Sequence, residues 1–214
     1  MEQYTFQVSK STQVYTKGTL SKSTKQIWLL LHGYGQLAEE FLEKFNTLND
    51  EETFLIAPEA LSKFYIKGGK DKIGASWMTR HHRSEEIEDY VHYLDQVITH
   101  YIPKGSPIEL HILGFSQGAS TASHWLEKSS IKQPKSVTFW AGNLSPGFQK
   151  SLHEGRYSDI NFHFVNGRQD RFIPNDVIDT ANQLAKGKPN ISLNTFDGGH
   201  EINEALLMQL KERT

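Results

Sequence analysis

The spacing of apolar residues changes period repeatedly along this chain, and each change marks a boundary between a predicted strand and a predicted helix. Ile27-Trp-Leu-Leu-Leu31 is apolar at every position, which suits a strand covered on both faces. Leu37, Phe41, Leu42, Phe45 and Leu48 then fall on one helical face, and Thr53 to Ala57 returns to a short buried strand ending at Pro58. Strand, helix, strand is the order of a parallel βαβ unit. Ile87, Tyr90, Val91, Leu94, Val97, Ile98 and Tyr101 follow at helical spacing. Ser84 is their predicted N-cap, Glu85 and Glu86 occupy the first turn, and Pro103 stops the element.

The alternation continues to the C-terminus. Strands are predicted at Ile108 to Leu113, Val137 to Ala141, Asn161 to Val165 and Ile191 to Phe196. Helices are predicted at Gln117 to Lys128, from Pro174 to about Leu184, and through Ile202, Ala205, Leu206 and Leu210. Near the start, Tyr4 to Val8 and Gln13 to Lys17 alternate polar and apolar residues around Ser9-Lys-Ser-Thr, predicting a hairpin at the antiparallel edge of the sheet. The stretch Glu59 to Arg83 has no period, and its aromatics predict an ordered loop facing substrate. The expected fold is α/β, a mostly parallel sheet with an antiparallel N-terminal hairpin and helices on both faces. Without an internal repeat or linker, residues 1–214 read as a single domain.

Composition narrows the function. The net charge of −2 comes from interspersed acids and bases, so no footprint for nucleic acid or an anionic membrane is visible. The absence of cysteine removes thiolate metal sites and a cysteine nucleophile. No stretch approaches the ~20 apolar residues of a membrane span, and the N-terminus has no signal-peptide pattern, so a cytoplasmic protein acting on a small molecule is expected.

The chemistry centres on Gly114-Phe-Ser-Gln-Gly118, which follows a predicted strand and precedes a predicted helix. G-x-S-x-G in that setting is a nucleophile elbow, a tight turn that lifts the serine hydroxyl clear of the sheet. In an open α/β sheet the loops at the carboxyl ends of the strands gather along one edge. Ser116, Asp170 and His200 each sit at such an exit, in the order nucleophile, acid, histidine. A serine hydroxyl needs an imidazole to take its proton, and a carboxylate to fix the imidazole's tautomer. His200 and Asp170 are the candidates. The backbone N–H groups of Gln117 and Tyr34 are the expected oxyanion donors.

Asp197, three residues before His200, is the competing acid, and His32 is read as a brace for the loop carrying Tyr34. Gly33-Tyr-Gly35-Gln-Leu-Ala38 also fits a dinucleotide-binding fingerprint, with Glu59 after the next strand as its acidic partner. That alternative leaves Ser116, Asp170 and His200 unexplained. A non-catalytic ligand-binding protein of the same fold is the other rival.

On Leu31-His-Gly-Tyr-Gly35, Gly114-Phe-Ser-Gln-Gly118, Gly167-Arg-Gln-Asp170 with Ile173-Pro174, and Gly199-His200, the chain resembles the phospholipase/carboxylesterase family of α/β-hydrolases from Ile27 onward. The resemblance implies serine-dependent hydrolysis of carboxylic esters, thioesters or lysophospholipids without metal or organic cofactor. It also implies an α/β-hydrolase fold. A monomer or homodimer is expected. Family members often carry Asp where this chain has Gln36. Ser76-Trp77-Met78 is similar to a substrate loop of the family, but the continuation Met-Thr-Arg-His-His-Arg departs from it. Only Gly142 to Asp159 lies between two predicted strands where lids are commonly inserted, too short for a cap domain. An open groove lined by Tyr34, Trp77, Met78, Asn143 and Leu144 is therefore expected.

Overall fold

The architecture, taken from a computed structural model that describes residues 1–68, 71–129 and 133–213, follows from strands too apolar to leave either face wet. In chain order the elements are β1 (Val14–Lys17), β2 (Gln26–Leu31), α1 (Ala38–Leu42) running into a 3-10 segment (Glu43–Leu48), β3 (Thr53–Pro58), β4 (Ser62–Tyr65) and β5 (Ile73–Ser76). Then come α2 (Arg83–Tyr101), β6 (Glu109–Phe115), α3 (Gln117–Lys128), β7 (Ser136–Trp140) and α4 (Pro146–His153). The chain closes with β8 (Asn161–Gly167), α5 (Asn175–Ala185), β9 (Ile191–Phe196) and α6 (Glu204–Lys211).

Seven strands form one sheet in the order β1-β3-β2-β6-β7-β8-β9, in which only the β1–β3 pairing is antiparallel. β2 lies well inside it. Alternate residues of β2 feed two cores, because successive strand side chains point to opposite faces. Ile27, Leu29 and Leu31 pack with residues of α2, α3 and α5, such as Leu94, Ala122 and Leu184. Trp28 and Leu30 pack with Phe41, Phe45, Leu207 and Leu210 on the other face.

Three expectations change. Tyr4, Phe6 and Val8 are exposed and form no strand, so the antiparallel edge is β1 alone, paired with β3 and not with a hairpin partner. The aperiodic stretch before α2 contains its own two-stranded antiparallel sheet, β4 on β5. The N-terminus of α2 is also set differently, with His82 in the left-handed region (φ 49°) as the flanking residue and Ser84 inside the first turn. The short helix α4 has a legible signal that the apolar spacing did not reveal. Pro146 sits at the first helical position and the Ser145 hydroxyl accepts from Phe148 N–H at 3.1 Å.

The face shared with α6 carries two buried imidazoles. His111 Nδ1 meets Ser136 Oγ at 2.8 Å, and His163 Nδ1 meets Ser192 Oγ at 2.7 Å. The Nε2 atoms of both rings are buried without a hydrogen-bond partner among the described residues. Burial pushes both groups down to about 4. The unfolded chain, with ordinary values near 6.5, therefore takes up protons that the folded chain refuses. Stability is fully present above about pH 6.5 and is lost as pH falls toward 4, by on the order of 3 kcal/mol per imidazole. Urea midpoints measured from pH 7.5 to 4.5 are expected to fall, and a His111→Gln, His163→Gln double variant to show a shallower fall.

Candidate active site

Parallel registry brings the strand exits to one edge: Leu31 pairs with Gly114, Phe115 with Trp140, and Gly167 with Phe196. Ser116 stands between β6 and α3 at φ 54° and ψ −115°, a conformation that L residues rarely adopt. The turn is held by Ser116 N–H donating to Trp140 O at 2.8 Å and Ala119 N–H to Ser116 O at 3.1 Å. It is possible only because the chain passes without side chains. A Cβ on Gly118 would lie 2.0 Å from Leu31 O, and one on Gly114 would lie 2.3 Å from Gly118 O. Both obstacles are backbone, so Gly118→Ala is expected to cost about 1–3 kcal/mol or more in urea unfolding and to displace the serine. An unchanged urea midpoint would contradict this reading of the turn.

The exits of β8 and β9 approach each other as closely. Arg168 N–H donates to Phe196 O and Gln169 N–H to Gly198 O, both at 2.9 Å, and a Cβ on Gly167 would meet Gly199 O at 2.3 Å. This close approach brings Asp170 and His200 together. His200 Nδ1 lies 2.7 Å from Asp170 Oδ2, and Phe172 N–H donates to Asp170 Oδ1 at 2.8 Å. With both carboxylate oxygens accepting, Nδ1 is the protonated ring nitrogen and Nε2 keeps its lone pair. The ring lies between Phe115 and Phe172, with centroids 4.8 and 5.1 Å away. The competing acid is otherwise engaged, since Asp197 pairs with Arg168 at 2.6 Å and is largely exposed.

Ser116 and His200 line one open cavity of about 440 Å³. Among the described residues the Ser116 hydroxyl has no hydrogen-bond partner, and it shares the cavity wall with His200. Gln117 is the first residue of α3 and has no i−4 carbonyl for its amide. Neither this N–H nor that of Tyr34 donates to another group among the described residues. Both residues border the cavity.

The loop carrying Tyr34 is braced from below. Gln36 Oε1 accepts from Gly33 N–H at 2.8 Å, so the glutamine side chain ties this turn to itself. His32 is fully buried, with Nε2 accepting from Ala60 N–H at 3.1 Å and Nδ1 donating to Gly33 O at 2.8 Å. Burial lowers its basicity, which keeps it a neutral brace. Glu59, the acidic partner of the dinucleotide fingerprint, is buried too. Its carboxylate accepts from Ala38 N–H at 3.1 Å and pairs with Lys63 at 2.5 Å, so it serves the start of α1.

The expected groove is only partly right. Tyr34, Met78 and Asn143 line the cavity with Ser116, whereas Trp77 and Leu144 do not. Trp77 is buried, its indole N–H donating to His32 O at 2.9 Å and its ring 5.2 Å from that of His32. It supports the Tyr34 loop from the core side. Leu144 borders an adjoining cavity of about 240 Å³ that shares Gly142 and Asn143 with the first. Gln117 contributes more than an amide: its side chain accepts from Trp77 N–H at 3.0 Å and donates to Met78 O at 2.8 Å, pinning the loop after β5. Sequence reasoning missed Thr79, Arg80, Arg83, Ser120 and Phe172 as cavity residues. The departure from family pattern after Met78 was the available signal for the two arginines.

Among the described residues no group of three or more histidine or acidic side chains could hold a metal ion, and no helix is long and apolar enough to cross a membrane. No curated protein matches the chain. Among solved structures, Zea mays acyl-protein thioesterase 2 aligns at 17% identity and a TM-score of 0.70, covering 94% of this chain and 96% of that one. A phospholipase/carboxylesterase from Dyadobacter fermentans aligns at 16% identity and 0.66, covering 96% and 97%. The Bacillus cereus carboxylesterase aligns at 14% identity and 0.64, covering 94% and 92%. These likenesses establish the α/β-hydrolase fold. The phospholipase/carboxylesterase family model matches residues 19–214, and with that extent of match the chain belongs to this family and is a hydrolase of the esterase type.

Proposed function

We propose that this hydrolase cleaves carboxylic esters, and related acyl donors such as thioesters or lysophospholipids, through an acyl-enzyme on Ser116. In this reading His200 Nε2 accepts the serine proton as Oγ attacks the acyl carbon. The same nitrogen returns the proton to the leaving alcohol or thiol, and then activates water for deacylation. Asp170 holds the tautomer and stabilises the imidazolium that forms. The N–H groups of Tyr34 and Gln117 receive the oxyanion, and losing one such donor typically costs about 3–4 kcal/mol. The observation that carries the proposal is the 2.7 Å contact of His200 Nδ1 with a fully buried Asp170 carboxylate, on the wall of the cavity that Ser116 enters.

Only α4 occupies the interval between β7 and β8, where a lid would be inserted, and the cavity opens to solvent. Short and medium acyl chains should therefore react without interfacial activation. The test compares p-nitrophenyl acetate, butyrate and palmitate. Higher kcat/KM for the two shorter esters in monomeric solution is expected, with an initial burst of p-nitrophenol of about one equivalent where deacylation is slow. Preference for palmitate only above its micellar threshold would overturn the open-cleft reading.

A further inference from the structure

We propose that Arg80 and Arg83 form a subsite for an anionic group, so that the preferred substrates are esters carrying a carboxylate or phosphate near the scissile bond. This deepens the catalytic reading of Ser116 and rests on it. Both arginines line the same cavity as Ser116, Gln117 and His200. No aspartate or glutamate lines it. Both guanidinium-bearing residues are exposed, and among the described residues neither makes a salt bridge or a side-chain hydrogen bond within the protein. The carboxylates beside them in sequence do not line the cavity. Glu86 accepts from Thr79 N–H at 2.6 Å and from Thr79 Oγ1 at 2.9 Å, and Glu85 faces His82 at 3.9 Å.

The placement is built by the fold. Gln117 fixes the backbone at Trp77 and Met78, and Glu86 ties Thr79 to the first turns of α2. Arg80 then lies in the connection and Arg83 is the first residue of α2, after the left-handed His82. The remaining polar side chains on the wall, among them Tyr34, Thr79, Ser120 and Asn143, are neutral. The wall of the cleft therefore presents two guanidinium groups and no carboxylate, Glu86 being turned to Thr79. A guanidinium pairs with carboxylate or phosphate through paired N–H donors, which gives direction as well as charge. Charge lining a concave site also raises the local concentration of an oppositely charged substrate.

The anion can belong to the acyl part or to the leaving group, and matched ester pairs separate the two. 4-Nitrophenyl hydrogen glutarate against its methyl ester places the charge on the acyl side, and 4-acetoxybenzoate against its methyl ester places it on the leaving group. The readout is the ratio of kcat/KM for charged over neutral ester within each pair. The wild type is expected to show a ratio of at least about tenfold in one pair, declining as sodium chloride rises because exposed charges are screened beyond about 10 Å at 0.1 M. Arg80→Ala, Arg83→Ala should bring that ratio down about tenfold, Arg80→Lys, Arg83→Lys should retain part of it, and Arg80→Glu, Arg83→Glu should invert it. Charged esters reacting no better than neutral ones in both pairs, or a ratio untouched by charge reversal, would overturn the proposal. To separate this from failure of the catalytic reading, the inactive Ser116→Ala protein is titrated calorimetrically with the same intact esters. Tighter binding of the charged member, lost on charge reversal, supports the subsite even where turnover is absent, and equal binding of both members overturns it.

Discussion

Replacing Ser116 by alanine is expected to lower kcat for p-nitrophenyl butyrate by roughly 10⁵-fold or more while leaving the folded protein intact, since loss of a triad serine typically costs about 10⁶-fold. The elbow does not depend on the hydroxyl. Its geometry comes from the backbone bonds of Ser116 and from the absence of side chains at Gly114 and Gly118, and alanine meets the same φ of 54° with a side chain no larger. An unchanged thermal midpoint, with only the residual rate that the cleft and its backbone donors supply, is the expected pairing. Activity retained within tenfold would mean that another group attacks the ester.

Asp170→Asn is expected to cost about 10³–10⁴-fold in kcat, as for other triads in which the acid is made an amide. The structure gives a specific reason. Phe172 N–H needs an acceptor and takes Oδ1 at 2.8 Å, so the amide of asparagine is held with its oxygen toward Phe172 and its NH₂ toward His200 Nδ1. That places the ring proton on Nε2, where it blocks the base. Asp197→Asn removes only an exposed pair with Arg168 and should change kcat by less than about twofold, because such surface pairs contribute little. Equal losses in the two variants would return Asp197 to contention as the acid.

The parts of the site legible in the sequence are those whose chemistry dictates a residue type at a strand exit. Ser116 between two glycines, Asp170 after Gly167 and His200 after Gly199 are of this kind, and the parallel sheet gathers them at one edge. The apolar run of β2 was legible for a similar reason, since five consecutive fully buried positions leave no other conformation for a short segment. Orientation was not legible. Trp77 is adjacent in sequence to Met78, and which of the two faces the cavity depends on the hydrogen bonds of Gln117, some forty residues later. The β4–β5 sheet is hidden because its strands are only four residues long and rich in residues that equally suit a loop. Tyr4 to Val8 alternates as a strand would, yet no element covers its apolar side, and periodicity alone cannot supply a partner.

The placement of Arg80 and Arg83 shows the same division. Their charge is plain in the sequence, but the aperiodic stretch before α2 gives no indication that it turns into the cavity lined by Ser116 and His200. The ties from Thr79 to Glu86 and from Met78 to Gln117 decide that, and both join residues on different elements.

Covalent capture tests the central claim most directly. Intact-mass analysis and peptide mapping after treatment with a fluorophosphonate should show one phosphonyl group per chain, on the hydroxyl of Ser116, with none on the Ser116→Ala protein. A folded protein that takes up no label, or takes it up on a different residue, would contradict the account.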